Sequence, residues 1–355
     1  MIPYGLGSGG SLLTRLELMR LLSAVMGALT ALFAYLFVRE ALPGAPWAWC
    51  VGGLGVALAP LLGLMSGAVN PDSMAAAVTS AIFYLLARAF RRRAHAGLGV
   101  RDRRRGGDRQ AVTKLSFLGL APGILVGLIV LARREARTSR RNAYRSLALA
   151  LGIGATPVCV YILINLLSNH AGLGRVSNAI QTQRGSVFHE LSYIWQLFLP
   201  RLPGMTTYFP GISTTHLWFD RSVGLYGWLD TPFPVWVTNI AVIPAVAIAA
   251  LCVRALVTVR ATLRRRLAEL AVYAVMSVGL LALVGADSYL APFGKALFVE
   301  PRYLLPLLAL GGAVLVLGAR GAGRRWGPPA GALIVVLVLA HDVFSQLQVI
   351  SRFYG

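Results

Sequence analysis

Acidic residues are scarce in this chain. Thirteen Asp and Glu stand against 34 Lys and Arg in 355 residues, for a formal net charge of +21. Cysteine is nearly missing. Cys50, Cys159 and Cys252 fall at unrelated spacings inside apolar segments, which excludes a disulfide framework or a cysteine metal site. The five histidines, His95, His170, His189, His216 and His341, are scattered, and none is spaced as a ligand pair. There is no GxxxxGK[ST], no GxGxxG following a strand, no HExxH and no CxxC. The P-loop, dinucleotide-fold, zincin and thiol-redox classes are therefore set aside. Internal repeats of the inverted-transporter kind are not evident either.

Apolar sequence is abundant. Hydrophobic residues make up 57% of the chain, and the mean hydropathy is +0.67. Soluble domains do not have this composition. The apolar residues collect into runs at Leu21–Val38, Trp47–Met65, Met74–Phe90, Leu115–Leu131, Leu147–Leu167, Val235–Val253, Leu267–Val284, Leu304–Gly318 and Ala330–Phe344. Most are long enough to approach or cross a hydrocarbon core. The expected fold is an all-α polytopic membrane protein of eight to ten transmembrane or re-entrant helices. One long outer loop bears an amphipathic helix. The expected division is a helical half over 1–167, the loop over 168–234 and a second helical half over 235–355. Pro122, Pro157 and Pro306 are expected to kink their segments. Leu115–Leu131, with basic blocks on both sides, is expected to form a re-entrant hairpin or a pair of short helices bent at Pro122-Gly123, the alternative being a poor crossing contributed by His95–Val112. Glu269, Arg254 and Asp342 fall near the ends of apolar runs, unlike the mid-membrane acids of an ion-coupled transporter.

The basic residues occur in blocks between these runs. Ten lie in Arg88–Lys114, six in Arg133–Arg145, five in Arg254–Arg266 and three in Arg320–Arg325, which with Arg39 makes 25 of 34. Such blocks mark cytoplasmic loops, not a nucleic-acid surface. The tripeptide Asn70-Pro71-Asp72, the long loop and the Asp287–Arg302 connection then share the outer face. With Leu21–Val38 running from outside to inside, Met1–Arg20 lies outside with no signal-peptide pattern, and an upstream segment is expected to be missing.

Three places carry polar chemistry on that face. Asp72 opens a helix at a membrane edge. Pro71 suits the first helical turn and an acid there suits the dipole, so a helix cap is one reading. A carboxylate that handles a polar ligand is the other. In His170–Pro234, the residues Val187, Phe188, Leu191, Ile194, Trp195 and Phe198 recur at helical spacing, opposite His189, Glu190, Ser192, Tyr193 and Gln196. That is an amphipathic helix in the interface. An aromatic set follows, including Tyr208, Phe209, Trp218, Phe219, Tyr226, Trp228 and Trp236. It reads as an interfacial belt or as a sugar- or lipid-binding platform, with Asp220, Arg221 and Asp230 as its polar groups, or with Asp220 and Arg221 simply paired at the surface; Glu190 on the helix is a further candidate substrate-binding residue. The third place is Lys295, Glu300, Arg302 and Tyr303. A guanidinium at a membrane mouth suits a phosphate, or else it snorkels or pairs with Glu300.

The strings "LMRLLSAVMGALTALFAYLFVREALP" and "LGLMSGAVNPDSMAAAVTSAIFYLLAR" resemble the early membrane helices of the GT-C-fold glycosyltransferases. "TKLSFLGLAPG", "YIWQLFLPRLPGM" with "YGWLDTPFPVWV", and "EPRYLLPLLAL" follow in the expected order. The chain most resembles an uncharacterised bacterial membrane-protein branch placed in that superfamily. The resemblance implies sugar transfer from a polyprenyl-phosphate donor at the outer face of the bacterial plasma membrane, to a glycan, lipid or protein acceptor. It implies that Asp72 matches the second acidic motif, Lys114 the lysine of the short-helix region and Arg302-Tyr303 the donor-phosphate end of a late helix. The superfamily's key acid lies in the first outer loop, and only Glu17 precedes Leu21–Val38 here. A truncated or inactive catalytic unit is thus implied as well. No metal site is readable, although an acidic pair could hold Mg²⁺ or Mn²⁺. The competing expectations are a transporter or lipid flippase, and a non-catalytic protein of envelope polysaccharide assembly.

Overall fold

The computed structural model describes residues 11–95, 116–136, 186–226, 231–290 and 300–354, with isolated positions between 141 and 167. These residues are overwhelmingly helical, as long apolar runs require. Hydrocarbon offers no hydrogen bonds, so each backbone group must be satisfied within its own segment. Among the described residues, six helices are long and apolar enough to cross a membrane, or seven if one bent pair counts as a span. The chain is an all-α polytopic membrane protein. Its extended structure, among the described residues, is a pairing two residues long, Leu225–Tyr226 with Thr231–Pro232. The chain forms two compact units. One comprises Met1–Ala94, Trp218–Leu267 and Pro301–Gly355, the other His95–Leu217 and Ala268–Glu300.

The first unit begins with α1 (Leu12–Ala41), capped by Ser11, whose hydroxyl accepts the Thr14 N–H at 3.3 Å. Thirty residues at 1.5 Å rise reach about 45 Å, more than the roughly 30 Å hydrocarbon thickness. The run Trp47–Met65, which looks like one crossing, is two helices, α2 (Pro46–Ala57) and α3 (Pro60–Gly67), bent by 52°. Pro60 has no N–H to bond back into α2, and it pushes Ala59 to an extended conformation, φ −68° and ψ 116°. The next helix, α4 (Pro71–His95), packs on α1 through Phe37 against Phe83 and Phe33 against Tyr84, with ring centroids 5.8 and 6.3 Å apart. Among the described residues it is the most enclosed span, with 67% of its apolar stretch inside the protein.

Beyond the short α7 (Arg221–Gly224), the first unit continues with α8 (Val235–Thr258) and α9 (Arg260–Arg265). A 3₁₀ segment, Pro301–Leu307, leads into α11 (Leu308–Gly321), and α12 (Gly327–Tyr354) closes the unit. The apolar windows of α8 and α12 are only 6% and 11% buried. Helices so apolar with so little protein cover have lipid as their solvent. The centre of the unit is α11, which packs against α1, α2, α8 and α12. At its contact with α2 the backbones touch. A Cβ built on Gly312 would stand 2.9 Å from the Gly52 carbonyl oxygen. Asp342, at the edge of its apolar run in the sequence, lies well inside α12, because that helix continues to Tyr354.

The second unit contains α5 (Ser116–Ala136), α6 (Val187–Phe198) and α10 (Leu267–Leu290). The expected bend at Pro122-Gly123 does not occur, since α5 runs unbroken through both. Gly119 and Gly123 lie flush against α10. A Cβ on Gly119 would meet Gly279 O at 2.8 Å, and one on Gly123 the Met276 N at 2.5 Å. This backbone-to-backbone seating holds the segment helical where Pro122 removes a hydrogen bond. The amphipathic α6 forms where its pattern predicts, with its polar side inward. Ser192 and Gln196 are buried, whereas Val187, Phe188 and Leu191 are 60–70% exposed. Pro157, most of Leu147–Leu167, Lys114, Trp228, Asp230 and Lys295 lie outside the described residues.

Candidate functional site

The segment Asn70-Pro71-Asp72-Ser73 builds its own turn. Asn70 Oδ1 accepts the Asp72 N–H at 2.9 Å, which is the N-cap bond of α4, and Pro71 takes the first helical position. Asn70 Nδ2 donates to Met65 Sδ at 3.0 Å and Ser73 Oγ donates to the Asn70 carbonyl at 3.0 Å. The capping task therefore falls to Asn70. Asp72 occupies the first turn, where the helix dipole favours its charge. Its residue is 4% exposed.

Burying a carboxylate is costly unless a cation answers it. Among the described residues a cation that answers it is Arg302, whose Nε lies 4.0 Å from Asp72 Oδ2. Arg302 stands in the first turn of the 3₁₀ segment, with its guanidinium carbon 5.6 Å from the Tyr303 ring centroid. The ring restricts the arginine stem, and the cation gains from the ring face. The two side chains are 6% and 27% exposed. The carboxylate is thus enclosed, and the Arg302 side chain is partly open although its Nε is buried. Such a pair can neutralise an anion at its open end and hold a base at its closed end.

Of the sequence candidates, the structure brings together Asp72, Arg302 and Tyr303, all in the first unit. Asp220, with Arg221, is half-buried in the same unit. Glu190 is half-buried in the first turn of α6, and Glu300 is 3% exposed. Among the described residues no group of three His, Cys, Asp or Glu is arranged to hold a metal.

The second unit holds a cluster that residue-by-residue reading missed. The Tyr193 hydroxyl lies 2.8 Å from Ser288 Oγ. Its ring packs against Tyr208, Phe209 and Tyr289 with centroids 5.5, 4.9 and 5.3 Å away. Gln196 ties the loop beneath, donating to Thr206 O at 2.8 Å and accepting the Tyr208 N–H at 3.4 Å. Burial pushes the Tyr193 phenol above its ordinary value of 10.0, against the smaller lowering from Ser288. Tyr208 is raised too, first by desolvation and then by Tyr289. The signal in the sequence was Tyr193 standing among the polar positions of an amphipathic helix.

These features define a polytopic α-helical membrane protein with a partly enclosed acid–arginine pair in its first unit. Residues 8–310 match the family described as predicted membrane protein, DUF2142. The chain belongs to that family. No curated protein and no solved structure matches it.

Proposed function

We propose that this protein is a membrane glycosyltransferase of the GT-C type, acting on a polyprenyl-phosphate sugar at the outer face of the bacterial plasma membrane. The Asp72–Arg302 pair carries the reading, because it joins a candidate base to a candidate phosphate partner. The Asp72 carboxylate takes the proton of an acceptor hydroxyl as its oxygen bonds to the anomeric carbon. The bond from that carbon to the phosphate oxygen breaks, and the polyprenyl phosphate leaves with the electron pair. Arg302 neutralises the departing charge. A single displacement of this kind inverts the anomeric centre. The exposed apolar faces of α8 and α12 supply lipid-facing surface along which a polyprenyl tail can lie.

The test is sugar transfer and donor binding by purified protein in nanodiscs. Asp72→Asn is expected to lower turnover about a hundredfold or more while donor binding is largely retained. Arg302→Ala is expected to weaken donor binding roughly ten- to a hundredfold, and Arg302→Lys to recover part of it. Arg320→Ala, in the last turn of α11, should leave both unchanged. Equal donor affinities for Arg302→Ala and Arg320→Ala, or full turnover by Asp72→Asn, would overturn the assignment.

A further inference from the structure

A second polar site lies at a different place in the first unit. The last turn of α1, the Pro43-Gly44 turn, the first turn of α2 and Arg91 of α4 surround an open cleft of about 490 Å³, lined by Arg39, Glu40, Pro43, Gly44, Trp49 and Arg91. Arg91 is the last residue of the α4 apolar span, and α1 ends at Ala41. The cleft therefore sits where apolar spans end, at the level where hydrocarbon gives way to headgroups.

Its walls are built, not incidental. A helix end leaves carbonyls without partners, and here cations and an indole meet them. Arg91 Nη1 donates to Arg39 O at 3.2 Å and to Glu40 O at 3.1 Å. Arg266 donates to Ala41 O, and Trp49 Nε1 to Leu42 O at 3.1 Å. These bonds offset the negative end of the α1 dipole. Arg91 also pairs with Glu40 at 3.4 Å. The Arg39 side chain is half-buried in the wall, and among the described residues it makes no hydrogen bond or ion pair. Gly44 sits at φ +90° with open space where a Cβ would be, so no side chain closes the mouth.

We infer that this cleft binds the phosphodiester of an anionic phospholipid, with Arg39 as its principal ligand and Trp49 as a fixed headgroup-level anchor. Two guanidiniums face a single carboxylate, so the cleft selects negative headgroups over zwitterionic ones. The Arg39 fork suits phosphate oxygens bidentately. Clustered arginines place this end of the unit at the cytoplasmic leaflet, where anionic lipid is concentrated.

The experiment is native mass spectrometry of the full chain released from detergent, titrated with phosphatidylglycerol or phosphatidylcholine, with folding checked by thermal melting. Phosphatidylglycerol should be retained in preference to phosphatidylcholine. Arg39→Gln should weaken its retention about tenfold, and Arg260→Gln, an exposed arginine of α9, should not. Glu40→Gln should strengthen it. Equal effects of Arg39→Gln and Arg260→Gln would overturn the site. Displacement of the lipid by millimolar inorganic phosphate, with no dependence on the acyl chains, would overturn the lipid assignment.

Discussion

Arg302 meets Asp72 through Nε, which lies 4.0 Å from Asp72 Oδ2. Removing one partner of a buried pair leaves the other charge less well compensated, at up to about 3 kcal/mol when enclosure is complete. Asp72 is enclosed and Arg302 partly open. Arg302→Gln is therefore expected to lower thermal stability in detergent more than Asp72→Asn. The double variant should cost less than the two singles added. A double-mutant cycle on melting temperatures measures this, and strict additivity would show that the pair is not coupled.

Gly119 and Gly311 are expected to respond in opposite ways. A side chain at Gly119 drives into the backbone of Gly279 and Leu280, which cannot swing aside. Gly119→Leu should destabilise by about 2–3 kcal/mol. Gly311 has nothing within 4 Å of a Cβ, so Gly311→Ala should be neutral or stabilise by up to about 1 kcal/mol. Parallel melting curves decide between these outcomes.

Alkaline pH should loosen the tyrosine cluster. The Tyr193 phenol is raised in the folded protein, so above its ordinary value near 10 the folded state holds a proton that the unfolded state has released. Stability from this group is complete below that pH and declines as pH climbs past it. Tyr193→Phe should flatten the decline and cost about 1 kcal/mol at neutral pH through the lost Ser288 bond. Melting temperature against pH for both proteins is the measurement.

The outward face of α6 should touch lipid. A spin label on Leu191→Cys is expected to collide with oxygen dissolved in acyl chains and to be shielded from a water-soluble nickel reagent. A label on Thr215→Cys, an exposed position outside α6, should show the reverse. Equal accessibility to nickel at both would place α6 in water.

Topology has a direct readout. Val69→Cys, 43% exposed beside Asn70, should react with an impermeant maleimide in intact cells, and a cysteine at Arg324 only after permeabilisation. Ser73 is a poor probe because it is 1% exposed.

Much of this architecture was legible because lipid makes sequence patterns blunt. Apolar length marked the spans, and the helical spacing from Val187 to Phe198 marked α6. Proline was less readable. Pro60 breaks a run and Pro122 does not, and the difference lies in what each segment packs against: Gly119 and Gly123 seat α5 on α10. Asp72 and Arg302 could each be singled out from local context. Their meeting depends on how α4 and the 3₁₀ segment pack, which no local pattern encodes. Tyr193 was hidden for the same reason, since its partners Ser288 and Tyr289 arrive from α10.

The contact between Gly52 and Gly312 has a consequence for motion. Where glycine backbone meets glycine backbone there are no rotamers to lose, and the Val56, Leu315 and Val316 side chains beside the contact pack directly onto glycine, so the seam closes at little entropic cost. Helices α2 and α11 should therefore travel as one stiff plate. The 52° break between α2 and α3, where the helical hydrogen-bond ladder is already interrupted, is then an expected place for that plate to hinge.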